Sequence, residues 1–166
     1  DPRIDLQGRG GIERQSDITI RGGTFENTGI NLGTLPLWDP QTGHYFVEIP
    51  LHPYFFGEVN LHLGVANAVE GFNATTGTIE YTWSQLANEN EVVVFGGSHE
   101  TYGGGVFVTT SFNDQAGLQV SYDYGQGEGS VDNGEFEFTR LAARGQWRTP
   151  TGGQLDVFAG YQEKFY

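Results

Sequence analysis

The 166 residues contain no cysteine and no methionine, and the only lysine is Lys164. Without cysteine there is no disulfide framework, no thiol nucleophile and no cysteine-ligated zinc. Basic residues are scarce: none occurs between Gly22 and Thr139, and the formal net charge is −13. Such a chain lacks the cationic footprint that nucleic acid requires. It also cannot dock on anionic lipid through a basic patch. No run approaches the ~18 apolar residues of a membrane helix. The chain opens on Asp-Pro-Arg with no signal peptide and stops at Phe165-Tyr166 within an alternating run, so it reads as a piece of a longer protein, with a processed mature chain as the alternative.

What is abundant is glycine, at 26 residues, with 12 phenylalanines, 8 tyrosines and 3 tryptophans. Many glycines, threonines and aromatics with few good helix formers predict an all-β chain.

Asp17-Ile18-Thr19-Ile20-Arg21-Gly22-Gly23 organises the first half. Its period-two alternation predicts a half-buried strand over 17–23, with Ile18 and Ile20 on the core face. The glycine pair permits a tight turn. A lone Arg21 in so acidic a chain is expected to pair with a buried carboxylate. Ile4 and Leu6 suggest a short strand before it, and Gln7 to Gly11 an exposed loop. Further strands are expected near 29–35, 58–63 and 77–83, with one helical turn within 64–73. Leu35 to Tyr45 holds two prolines and reads as a loop, and Pro50 and Pro53 break the apolar run 46–56.

From Glu89 onward, segments of about ten residues alternate in hydrophobicity between glycine, asparagine and aspartate turns. Strands are expected near 91–98, 104–113, 117–126, 134–148 and 153–164. Leu118, Val120, Tyr122 and Tyr124 fall on one face, and Gln119, Ser121 and Asp123 on the other. Arg140, Arg144, Gln146 and Arg148 share a face opposite Leu141, Ala143 and Trp147. Tight and longer connections alternate. That is the pattern of a transmembrane β-barrel. A water-soluble sandwich with its apolar face inside has the same periodicity, so alternation alone leaves both open.

Ile20-Arg21-Gly22-Gly23, then Asp39-Pro40-Gln41-Thr42-Gly43-His44, then the run from Gly64 to the Gly77-Thr78-Ile79-Glu80 strand, resemble the plug of TonB-dependent outer-membrane receptors. The resemblance implies the C-terminal part of a plug over 1–86 and about five strands of an incomplete transmembrane barrel over 89–166. Arg21, Gly22, Gly23, Asp39 and Gly77 are its structural motif. Two departures stand out: Asn31-Leu32-Gly33-Thr34 replaces an Asp-Gly, and Leu63-Gly64 replaces an Arg-Gly.

The resemblance further implies uptake of a scarce small nutrient, such as an iron chelate or cobalamin, across the outer membrane of a Gram-negative bacterium. Energy would come from the TonB complex, acting on a missing N-terminal segment. It implies outer-membrane lipid as surroundings, with no cofactor and no resident metal. Two plug loops are expected at the outward end. They would offer Arg9 and Arg14 as anion donors, Trp38 and Tyr45 as stacking surfaces, and Gln41 and His44 as hydrogen-bonding groups. Arg140, Arg144 and Arg148 would face the lumen and pair with plug acids such as Glu48 or Glu58. Glu135 and Glu137 read as lumen-facing solvated charge rather than a glycosidase pair. His52 and His62 read as structural. No nucleophile elbow, phosphate loop, metal-ligand spacing or calcium loop is present, so the chain does not read as an enzyme. The competing reading is a soluble carbohydrate-binding module with Trp38, Tyr45 and Tyr54 as its platform.

Overall fold

The computed structural model describes residues 1–8, 16–41, 49–87 and 89–165. They group into two units. Among these residues, one comprises those up to Ile49 together with Phe56–Ser84, and the other Pro50–Phe55 with those from Gln85 onward.

In the first unit, β1 (Ile4–Gly8) and β2 (Ser16–Ile20) form an antiparallel hairpin with Ile4 opposite Ile20. A second sheet has the order β4-β3-β6-β5, from β3 (Thr28–Leu32), β4 (Leu35–Pro36), β5 (Phe56–His62) and β6 (Gly77–Trp83). β3 and β6 run parallel, so a crossover must join them. That crossover includes β5 and the short helix α1 (Val65–Glu70). Ile18, Ile20, Ile30 and Ile79 are the buried centre, with Ile4, Leu37, Leu61, Leu63 and Tyr81 packed around them.

The first unit corrects several expectations. β2 is buried on both faces, since Asp17 and Thr19 are as enclosed as Ile18, whereas alternation anticipated one wet face. The stretch after Leu35 is not wholly loop. Leu35–Pro36 pairs with β3 as a two-residue edge strand, where the missing proline N–H can face away from the ladder.

A tight turn was anticipated at Gly22-Gly23; it forms one residue earlier, at Arg21-Gly22, where both residues take positive φ (+55° and +71°). The chain therefore leaves β2 at Ile20 and not at Gly23. Arg21 is exposed, and its backbone N–H donates to Arg3 O at 2.7 Å. Among the described residues it forms no ion pair. The expected buried pair is thus absent, because the left-handed turn projects the side chain out of the sheet.

The second unit is a five-stranded antiparallel meander in the order β11-β10-β9-β8-β7. Its strands are β7 (Asn90–Gly96), β8 (Tyr102–Ser111), β9 (Ala116–Gly127), β10 (Phe136–Arg148) and β11 (Gln154–Phe165). These lie within two residues of the expected strands. Neighbouring connections at the same end are tied together: Glu128 N–H donates to His99 O at 2.8 Å, and Arg148 N–H to Gln115 O at 2.7 Å.

Candidate functional site

The loop residues anticipated as ligand contacts divide between described and undescribed parts. Arg9, Arg14, His44 and Tyr45 lie outside the described residues, as does Glu48. Gln41 is exposed, and its N–H donates to Asp39 Oδ1 at 2.8 Å, so Asp39 closes the local turn. Trp38 is half-buried. It packs on the isoleucine core and stands edge-on to Phe72 at 5.4 Å between ring centroids. Gly77 begins β6 where a Cβ would stand 2.7 Å from Leu63 Cδ2 and 3.0 Å from Ile20 Cδ1. Glycine there lets β6 close on the core.

The departures from the family pattern also find local reasons. Asn31 Nδ2 donates to Glu70 O at the end of α1, at 3.0 Å. An aspartate could not donate. Leu63 adds apolar surface beside the isoleucines, where an arginine would bring a charge. Asn67, buried on α1, donates to Ala74 O at 2.8 Å and accepts from Thr78 Oγ1 at 2.6 Å, which fixes the helix to β6. His62 and Glu80 form a half-buried pair at 2.8 Å. Burial pushes the Tyr81 phenol above its ordinary range.

The five-stranded sheet has two contrasting faces. On its enclosed face, Arg144 is fully buried and forked: Nε and Nη2 reach Asp156 Oδ1 at 3.0 and 2.8 Å, and Nη1 reaches Gln119 Oε1 at 2.8 Å. Gln146 Nε2 joins the same Asp156 oxygen at 3.1 Å, and Gln154 Nε2 reaches the other at 2.6 Å. Plug acids were anticipated as partners for these arginines. Among the described residues, the acid that meets Arg144 comes from the next strand: β10 and β11 register Gln146 opposite Asp156 and bring the carboxylate one step away. Arg140 Nε donates to Gln162 at 2.9 Å, and its guanidinium lies over the Phe138 ring at 4.4 Å.

Glu137 corrects another expectation. It is exposed on the face of Leu141 and Trp147, not on the arginine face, because β10 is regular and odd and even residues alternate without a bulge. Glu135 precedes β10 and is exposed.

Further along the enclosed face, His52 stacks on Phe107 (5.6 Å, 18°) and faces Asp123 Oδ1 with its Nε2 at 3.6 Å. Beside them is a cavity of about 340 Å³ whose lining includes His52, Val93, Phe95, Asp123, Phe138 and Arg140. Its size and its few polar groups on apolar walls suit a small ligand. Phe95 and Phe138 close on Gly125, where a Cβ would stand 2.9 and 2.6 Å from their ring atoms. Sequence reading passed over this cavity. Its signal was the run of glycines on β8 and β9 opposite phenylalanines on β7 and β10.

The other face is apolar and uncovered. Cross-strand rows run Val92–Val106–Tyr122–Leu141–Tyr161 and, two residues along, Val108–Val120–Ala143–Ala159. Leu118, Val157, Trp147 and Leu155 continue the band.

No family model matches this chain, and no curated protein does. Solved structures share its fold. The pyoverdine outer-membrane receptor FpvA from Pseudomonas aeruginosa PAO1, bound to pyoverdine, superposes with a TM-score of 0.66 at 15% identity, over 98% of this chain and 24% of its own. The copper transporter OprC gives 0.73 at 14% identity, over 98% and 26%. The ferric-catecholate import receptor Fiu from E. coli K12 gives 0.65 at 17%, over 89% and 22%. The chain therefore has the fold of TonB-dependent receptors, plug strands followed by the first strands of the barrel wall, and spans about a quarter of the length of the structures it matches.

Proposed function

We propose that this chain is the plug and first wall strands of an outer-membrane receptor that takes up a small nutrient, energised through a TonB-type complex. The observation that carries the reading is the inversion of the five-stranded sheet. Its buried face holds Arg144, Gln119, Ser121 and Gln146, while Val94 and Val157 on the other face are 83% and 63% exposed. A water-soluble sandwich would bury the apolar side, since apolar area leaves water at about 25 cal/mol per Å². A wall strand in lipid requires the reverse. From the row of Trp147 to that of Tyr124 the band is eight residues long, about 20 Å once strands are tilted, close to the apolar height of outer-membrane barrels.

The cavity beside Phe95, Phe138 and His52 supplies a ligand-sized space on the enclosed face. No step of chemistry is required of these residues: binding and passage suffice, which favours transport over catalysis. The carbohydrate platform gains nothing from the geometry, because Trp38 is half-buried against a core rather than presented flat.

The direct test uses brominated lipid. With Trp38 and Trp83 changed to phenylalanine, Trp147 is the only tryptophan left. Reconstituted in vesicles containing dibromo-phosphatidylcholine, it is expected to be quenched strongly. Emission indistinguishable from that in unbrominated vesicles would remove the membrane reading.

A further inference from the structure

Residues Pro50–Phe55 belong by chain order to the first unit, lying between Ile49 and Phe56, yet they group with the five-stranded sheet. Their contacts explain why. Pro50 lies against β11 at Gly160, where even a Cβ would stand 3.4 Å from Pro50 Cγ. Leu51, His52 and Phe55 are buried. Three rings converge on Phe107 of β8. His52 and Tyr54 stack on it at 5.6 Å each, and Phe55 meets it edge-on at 5.2 Å. His52 and Tyr54 also stack on each other at 5.3 Å. His52 Nε2 faces Asp123 of β9. The segment thus touches three strands of the sheet.

The segment is also stiff. Pro50 and Pro53 fix two φ angles, which lowers the entropy lost on docking. Pro53–Phe55 forms a 3₁₀ turn in which Phe55 N–H donates to His52 O at 3.0 Å, and Tyr54 N–H donates to His52 Nδ1 at 3.3 Å.

We propose that Pro50–Phe55 is a fixed anchor of the five-stranded sheet. It stays docked when the strands of the first unit lose their structure. The proposal stands on contacts within the second unit and does not rest on the uptake reading.

The test is amide hydrogen exchange on the full chain in detergent micelles, with denaturant raised until the amides of β3 and β6 exchange freely. Tyr54 and Phe55 are expected to keep their protection at that point and to lose it with the amides of β8 and β9. Loss of their protection together with β3 and β6, in a single step, overturns the proposal. Phe107→Ala is expected to speed exchange at Tyr54 and Phe55 by about tenfold or more while β3 and β6 are unchanged. Equal acceleration in β3 and β6, or none at Tyr54 and Phe55, also counts against it. Gly160→Val, which pushes on Pro50 from the opposite end, gives the same readout if the first variant does not fold.

Discussion

Arg144 shows how a charge survives when it is fully buried on the face of a β-sheet. Burying an unpaired guanidinium would cost many kcal/mol, but here the fork is met by Asp156 and Gln119. Arg144→Met removes that partner from the buried Gln119 and the half-buried Asp156. It is expected to destabilise the sheet by about 3–5 kcal/mol, read as a lower denaturation midpoint in detergent. Asn31 makes a smaller version of the same argument. Asn31→Asp keeps the shape but deletes the donor to Glu70 O and places an unpaired acid in the first unit. A loss of about 1–3 kcal/mol is expected there. Tyr81 sets a pH limit on the same unit. Its phenol is held above its ordinary value of about 10 by burial, so the unfolded chain ionises first. Its contribution is fully present below pH 10 and is lost as pH rises beyond it. A Tyr81→Phe variant is expected to show a weaker alkaline loss in the same titration.

At the scale of the element, β10 carries both halves of the argument. Its even residues from Phe136 to Gln146 are enclosed or half-enclosed, and of its odd ones Glu137, Leu141 and Trp147 are exposed. Leu141 lies in the row that crosses all five strands between Val92 and Tyr161. If that row meets lipid near the middle of the band, Leu141→Arg costs about 2–4 kcal/mol of stability in bilayers. In a water-soluble sheet the same exposed substitution would fall within about ±0.5 kcal/mol. Reversible denaturation in lipid vesicles separates the two. Glu137 and Glu163 also occupy this face but at its far end, two rows beyond Leu141 or alongside Thr139, where both are exposed.

For the whole molecule, the uncovered band predicts behaviour that no single residue does. Apolar side chains of five strands lie side by side without cover, and the sheet has two open edges, β7 and β11. Such a patch is far larger than monomeric proteins in water expose, and unpaired edges invite further strands. The chain is expected to aggregate in plain buffer and to disperse in detergent. A monodisperse monomer in buffer, by light scattering, would contradict the placement of the band.

How much of this was readable in the chain follows from the range of the interactions. The five strands of the second half were legible because each writes its own period-two alternation between turn residues, and that signal needs no partner. The turn after β2, to within one residue, and β6 were legible for the same local reason. Alternation cannot say which face is inside, since lipid and protein core favour the same side chains. Only the assembled sheet, with Arg144 enclosed and Val94 uncovered, decided that. Asp156 as the partner of Arg144 required the register of β10 against β11, and the exposure of Arg21 required the left-handed turn. Pro50–Phe55 reads in sequence as a broken apolar run. Its attachment to Phe107 and Gly160 joins residues more than fifty positions apart, and such a contact exists only after the sheet has formed to receive it.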